Sequence, residues 1–215
     1  GPEAAMNGEP LAEIRNLRVD FPTPTGWLHA VRGVSFTIGR EKLAIVGESG
    51  SGKSVTGRAL MRLLPRRARI GADALRFGGT DVLTAPDRTM RRLRGARMGL
   101  ILQDPKFSLN PVMPAGRQIA EAWRAHKGGS RAEAKDAAMT LLEQVLIRDP
   151  RRVFDAYPHE LSGGMGQRVM IAMMLAPGPD LLIADEPTSA LDATVQTEIL
   201  RLIDRLVSER GMGLL

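Results

Sequence analysis

Residues Gly47-Glu48-Ser49-Gly50-Ser51-Gly52-Lys53-Ser54 constrain this chain more than any other stretch. They satisfy G-x-x-x-x-G-K-[ST] at every fixed position. The apolar run Leu43-Ala44-Ile45-Val46 before them predicts a short buried strand. The run Val55 to Leu64 after them predicts a helix stopped by Pro65. Strand, glycine loop and helix together make a phosphate site. Gly47, Gly50 and Gly52 let the backbone turn tightly and bring its N–H groups close to phosphate oxygens. The helix N-terminus adds a favourable dipole. Lys53 can reach the terminal phosphates, and the Ser54 hydroxyl can hold Mg²⁺. A glycine-rich turn with a chance lysine is the bland alternative, and the flanking strand and helix disfavour it.

Composition narrows the class. The 215 residues suffice for one large α/β domain, or a core with a small subdomain. The apolar fraction of 43% and charged fraction of 25% are those of a globular chain. Without cysteine, neither a disulfide framework nor a thiolate metal site can form. No apolar run approaches the roughly 18 residues of a membrane helix, and no signal peptide is evident. The net charge of +6 comes from 30 basic against 24 acidic residues, and arginine dominates the basic set. That surplus suits nucleic acid, anionic lipid or phosphorylated ligands. Compositional bias toward arginine is the favoured reading, and an aromatic content of 4% argues against a base-stacking surface.

In chain order, residues 1–10 read as a tag remnant or disordered start. Leu11 to Phe21 and His29 to Ile38 predict two strands joined as a hairpin across Pro22-Thr23-Pro24-Thr25-Gly26. Phe21 and Trp27 flank that turn, and either can stack on a purine ring or simply pack on the hairpin. Arg66 to Ala85 reads as loop with short apolar pieces. Thr89 to Gly95, with Arg88, Arg91, Arg92, Arg94 and Arg97 in and around it, reads as a solvated helical face. Met98 to Leu102 predicts a core strand ending at Gln103-Asp104-Pro105, where Gln103 can reach Mg²⁺ or its water. Pro114 to about Leu146 has helical spacing, broken at Lys127-Gly128-Gly129-Ser130. His126 within it has no metal-ligand partner at useful spacing. Ser162 is set to N-cap a helix over Gln167 to Leu175, and the N–H groups of Gly163 and Gly164 can receive a second anion. Asp180 to Pro187 is an apolar strand ending in two acids. Asp185 is placed to bind Mg²⁺ and Glu186 to polarise a water. After the turn Ser189–Asp192, Thr194 to Glu209 predicts an amphipathic helix with Val195, Ile199, Leu202, Ile203 and Leu206 on one face. Gly213-Leu214-Leu215 reads as the start of another strand.

Taken in this order, from about Leu11 to Leu215, the motifs resemble the ATP-binding subunit of an ABC transporter. Gly47–Ser54 resembles the Walker A motif, Gln103 the Q-loop, and Leu161-Ser162-Gly163-Gly164-Met165 the LSGGQ-type signature. Leu182–Glu186 is similar to the Walker B strand with its catalytic glutamate, and Ser189–Asp192 to the D-loop. The resemblance implies an α/β fold with a P-loop NTPase core, an N-terminal antiparallel β part and a helical insertion at about 104–162. It implies ATP and Mg²⁺ as cofactors, with Glu48, Ser49, Ser51 and Val55 joining the glycines, Lys53 and Ser54 around the nucleotide. Ser54, Gln103 and Asp185 would serve Mg²⁺, and Glu186 and Gln103 the attacking water. Phe21, rather than Trp27, falls where the adenine-stacking aromatic usually lies. Ser162, Gly163 and Gly164 would close on the nucleotide of a second ATPase subunit, which accounts for two anion sites in one chain.

Gln-Asp-Pro, Tyr-Pro-His-Glu-Leu-Ser-Gly-Gly-Met and Ala-Asp-Glu-Pro-Thr-Ser-Ala-Leu-Asp narrow the resemblance to importers of dipeptides, oligopeptides or nickel. That implies work on two membrane permeases at the cytoplasmic face of the inner membrane, fed by an extracytoplasmic binding protein, without nucleic acid. The family's switch histidine is missing, since His29, His126 and His159 all lie upstream of Gly213. The chain therefore reads as truncated, and residues 1–215 alone are expected to bind nucleotide better than they hydrolyse it. A nucleic-acid-binding ATPase of repair or translation is one alternative, but it would usually carry an added domain or second cassette. A degenerate partner subunit is another, against which Lys53, Asp185 and Glu186 are intact.

Overall fold

The structure, a computed structural model, describes residues 10–39, 52–101, 109–184 and 192–215. The strand expected over Leu43–Val46 lies outside these residues. The chain opens with β1 (Ala12–Thr23) and β2 (Gly26–Ile38), then α1 (Lys53–Leu60). Three short strands follow, β3 (Arg69–Gly71), β4 (Ala74–Phe77) and β5 (Thr80–Asp81), then α2 (Asp87–Ala96) and β6 (Met98–Ile101). Next come α3 (Ala115–Lys127), α4 (Arg131–Gln144), α5 (Pro150–Asp155), a 3₁₀ turn at Pro158–Glu160, and α6 (Gly163–Leu175). The last elements are β7 (Leu181–Ala184), α7 (Ala193–Arg210) and β8 (Gly213–Leu214). These pack as two units. The first holds the described residues of Gly1–Arg94, Asp180–Ile183 and Gly211–Leu215, and the second those of Gly95–Pro179 and Ala184–Arg210.

In the first unit β1 is the central strand. It pairs antiparallel with β2 along one edge and with β3 and β4 along the other. Its inward residues change parity: Ala12 and Ile14 are buried, then Leu17 and Val19. A one-residue slip in a strand sends side chains to the opposite face. Here the register shift between Ile14 and Leu17 keeps both pairs inside. Asn16 takes up the extra residue with φ +50°, and its N–H donates to the Ser35 hydroxyl at 2.8 Å. Short β3, β4 and β5 lie within the stretch expected to be loop. Runs of three, four and two residues are too brief to show a period, and they are strands because β1 supplies the ladder for β3 and β4.

Helix α1 stops at Leu60, earlier than Pro65 would impose. Arg62 adopts φ +53° and its N–H bonds the Ala59 carbonyl, while Leu63 N–H reaches the Arg58 carbonyl at 2.8 Å. That pair of bonds is a Schellman cap with arginine where glycine is usual. Arg62 is held there by its own side chain, which donates to the Val82 and Ala85 carbonyls and meets Asp87 at 2.7 Å. The basic segment forms α2 as expected, with Met90 and Leu93 buried and Arg88, Arg91 and Arg92 exposed. Arg94 points back to the Met61 carbonyl at 3.0 Å, a cation at a helix C-terminus.

The second unit is mainly helical. Ser130 and Glu133 form a capping box at the start of α4, at the break read from Lys127–Ser130. Helix α5 begins with Asp149 accepting from Arg152 N–H and Pro150 in the first turn. Its Phe154 ring lies on α3 at Gly116, where a Cβ would approach the ring to 2.0 Å. Helix α6 buries Val169, Met170, Ile171, Ala172 and Leu175, too much of its circumference for a surface helix. Helix α7 buries Ile199, Leu202, Ile203, Leu206 and Val207, while Val195, expected on that face, is only half-buried. No described helix is long and apolar enough to cross a membrane.

Candidate functional site

Gly52, the last glycine of the expected phosphate loop, N-caps α1 in a left-handed conformation, φ +89°. A Cβ at Gly52 would lie 2.4 Å from the Ala30 carbonyl oxygen and 3.2 Å from Val31. Only glycine fits, for reasons of both conformation and space. The Gly52 carbonyl accepts twice, from Thr56 N–H at 3.0 Å and from the buried Thr56 hydroxyl at 2.9 Å. Thr56 thus fixes the loop's last peptide from inside the helix, a role that a Thr within an apolar helical run does not advertise. Gly52, the N-cap residue, has no side chain to cap the helix start. The first N–H groups of α1 and the positive end of its dipole are the physical basis for holding an anion. Lys53 opens α1, and Ser54 and Val55 are half-buried in its first turn. Gly47, Glu48, Ser49, Gly50 and Ser51 lie outside the described residues.

Strand β7 runs beside α1. A Cβ at Gly57 would meet Ile183 at 2.9 Å, so the absent side chain sets how near helix and strand come. Strand β8 pairs parallel with β7, and Gly213 N–H and Leu215 N–H donate to the Asp180 and Leu182 carbonyls at 2.8 and 3.0 Å. The expected strand start at Gly213 is therefore present. Asp185 and Glu186 follow β7 in the sequence, and Gln103 follows β6; all three lie outside the described residues. Among the described residues no group of three or more His, Asp or Glu forms a metal cage. A hard cation at α1 would find the Ser54 hydroxyl as a neutral oxygen ligand, which suits Mg²⁺ when phosphate oxygens and a carboxylate complete the set.

The hairpin carries both candidate aromatics. Phe21 pairs with Leu28 and Pro22 with Trp27, only a few residues from Ala30, where β2 meets Gly52. The Arg69 guanidinium lies 3.5 Å from the centroid of the Trp27 ring, occupying one face. Phe21 is half-buried. One register step beyond Phe21, away from the turn, His29 Nδ1 and Asp20 Oδ1 approach to 2.6 Å across the strands.

In the second unit, Ser162 N-caps α6 as expected, its hydroxyl accepting from Met165 N–H at 3.2 Å. The helix begins at Gly163, four residues before the expected Gln167. Gly163 is exposed and Gly164 half-buried, both in a first turn whose N–H groups have no helical acceptor. This is the helix start at which a second anion is expected. Just upstream, the Tyr157 and His159 rings stack at 6.0 Å, and Tyr157 N–H donates to Glu160. Residues 110–113 are anchored by Gln118, buried in α3. Gln118 accepts from Asn110 N–H at 2.8 Å and donates to the Asn110 and Met113 carbonyls at 2.8 and 2.9 Å. Downstream, Asp192 Oδ1 accepts from Val195 N–H at 3.0 Å at the head of α7.

Comparison with known proteins agrees with this arrangement. The sequence profile of the family described as ABC transporter matches residues 31–189. The oligopeptide transport ATP-binding protein OppD of Salmonella typhimurium is 48% identical over 208 residues, covering 96% of this chain and 62% of that protein. A Brucella abortus protein, provisionally named a peptide import ATP-binding protein, is 48% identical over 213 residues, covering 98% of this chain and 64% of its own. The chain thus spans under two thirds of the length of these relatives. Among solved structures, the ATP-binding cassette MJ0796, a dimer in a post-hydrolysis state bound to ADP and Pi, superposes with a TM-score of 0.78. It is 26% identical, with 94% of this chain and 85% of that one covered. The cbiO1 subunit of Clostridium perfringens gives 0.74 at 25% identity, covering 96% and 77%.

Proposed function

The chain belongs to the ABC transporter family, and on that premise we propose that it binds ATP with Mg²⁺ and hydrolyses it to drive import of peptides. The observation that carries this reading is the left-handed Gly52, pressed on Ala30 and opening α1 as its N-cap residue. The names of the relatives, peptide import and oligopeptide transport, favour peptide over nickel as cargo.

The backbone N–H groups of Gly47 to Gly52, with Glu48, Ser49 and Ser51 between the glycines, hold the phosphates, and Lys53 offsets their charge. Val55, in the first turn of α1, joins them around the nucleotide. Bound Mg²⁺ would neutralise charge as it builds on the phosphate oxygens. Ser54, Gln103 and Asp185 are the residues that would hold it. Glu186 accepts a hydrogen bond from the attacking water and orients it, with Gln103 beside it. Phe21 stacks on the adenine, supported by the closeness of its hairpin to Gly52 and by Arg69 already occupying a face of Trp27. Ser162, Gly163 and Gly164 present the start of α6 to the nucleotide held by a second ATPase subunit, a paralogue or a copy. The domain is best divided into a β-rich nucleotide-binding part and a helical part at about 104–162. Permease subunits hold the assembly at the cytoplasmic face of the inner membrane, and a binding protein supplies cargo from the far side.

The test is ATP turnover and labelled-peptide uptake by the full-length chain, reconstituted in proteoliposomes with its permeases and partner ATPase. Glu186→Gln should retain ATP binding and lose about 10²-fold or more in turnover. Wild-type turnover in Glu186→Gln, or no uptake of any peptide tested, would overturn the reading.

A further inference from the structure

We propose that Arg168 and Glu198 are positioning residues that bolt the Ser162–Gly164 turn to α7, the helix that directly follows this chain's own hydrolytic acids. The inference rests on the hydrolytic reading above. It starts from two contacts on successive turns of the same helix pair. At the first, a Cβ on Gly164 would lie 2.9 Å from Val195 Cγ1, so α6 and α7 touch where both begin. At the second, one turn further along each helix, the Arg168 guanidinium meets Glu198 Oε2 at 3.2 Å. The same guanidinium donates to the Val145 carbonyl at 2.9 Å, at the C-terminus of α4. Arg168 therefore joins three helices, and its side chain is only 13% exposed.

The two contacts act together. The absent Cβ at Gly164 lets the turn lie close against Val195, and the ion pair limits how far it can move away. Glu198 is 56% exposed, and pairs with so exposed a partner contribute little to fold stability. A stabilising role leaves the placement unexplained; a placing role uses it. Asp192 caps the head of α7, so this helix begins where the Asp185–Asp192 stretch ends. The turn that a chain lends to its partner's nucleotide is then fixed to the helix that follows its own hydrolytic acids in the sequence. Movement at one composite site is felt at the other.

The experiment uses the full-length chain in the reconstituted transporter and compares wild type, Glu198→Arg, Arg168→Glu and the double exchange. Glu198→Arg is the primary variant, because an exposed side chain is replaced and the fold should be untouched. Both Arg168→Glu and the double exchange lose the Val145 bond, so their difference isolates the Arg168–Glu198 pair. Glu198→Arg should lower kcat about 10-fold with KM for ATP within about twofold, reduce the Hill coefficient toward one, and speed amide exchange at residues 163–167. The double exchange should recover most of what Arg168→Glu loses. Unchanged exchange in Glu198→Arg overturns the proposal, as does faster exchange with unchanged kcat and cooperativity, or a double exchange no better than Arg168→Glu. A wild-type assembly that hydrolyses no ATP instead overturns the function on which the proposal rests.

Discussion

The α-carbon of Gly52 faces the Ala30 carbonyl so closely that a methyl group would sit 2.4 Å from its oxygen. A strand from the N-terminal hairpin thereby sets where α1 begins. The hairpin is a jig for the proposed nucleotide site.

Gly52→Ala should therefore be far worse than an ordinary glycine replacement. A left-handed alanine costs about 1–2 kcal/mol, and the contact with Ala30 adds backbone displacement. We expect about 3 kcal/mol or more of lost stability in urea unfolding, together with loss of measurable ATP binding by titration calorimetry.

Two helices end in the same Schellman geometry with a non-glycine residue at positive φ, and the two should respond oppositely to glycine. Leu146, at φ +63°, is 54% exposed and gains nothing visible from its side chain. Leu146→Gly should stabilise by about 0.5–1 kcal/mol. Arg62 at φ +53° spends its side chain on two carbonyls and Asp87, so Arg62→Gly should destabilise by about 1–2 kcal/mol. Paired chemical-denaturation curves decide both.

Phe21→Ala should weaken ATP binding by about 5- to 100-fold, the usual worth of one base on one aromatic, and leave inorganic triphosphate binding within about twofold. Trp27→Ala should change ATP affinity less than twofold, because Arg69 covers its ring. Competition against a fluorescent nucleotide measures all of these. A larger effect at Trp27 than at Phe21 would reverse the assignment.

Gly116→Ala should cost about 1–3 kcal/mol through overpacking, since its Cβ would fall on the Phe154 ring. Phe154→Leu in the same chain should return part of that loss. A double-mutant cycle with additive effects would show that the ring moves aside freely.

The parts legible in the sequence were those with long-range periodicity or fixed chemistry. The hairpin, the helix after the loop, the break at Ser130, the cap at Ser162 and the strand start at Gly213 were each readable from local residues. The pattern Gly47–Ser54 predicted a phosphate loop, of which the described residues show Gly52, left-handed at the head of α1. What escaped was set by partners distant in the chain. Strands β3 and β4 exist because β1 offers them an edge, and α1 stops four residues early because Arg62 finds acceptors at Val82 and Ala85. Helix α5 was readable in principle from Asp149-Pro150, a cap followed by a first-turn proline. Arg168 carried no local mark, since its partners lie 23 and 30 residues away.

The central place of β1 has a consequence at the ribosome. Strand β2 follows it at once and can pair as soon as the hairpin clears the exit tunnel. The opposite edge of β1 waits for β3 and β4, the last of which ends at Phe77. At about 5–20 residues per second, the nearly 40 residues between Ile38 and Phe77 take roughly 2–8 s to synthesise. During that interval a buried strand of the finished protein is an open edge, able to pair with any extended chain nearby. Slow codons placed between β2 and β4 would lengthen the exposure, and fast ones would shorten it. Yield in the cell should then depend on the pace of translation across this one interval, with the protein sequence unchanged.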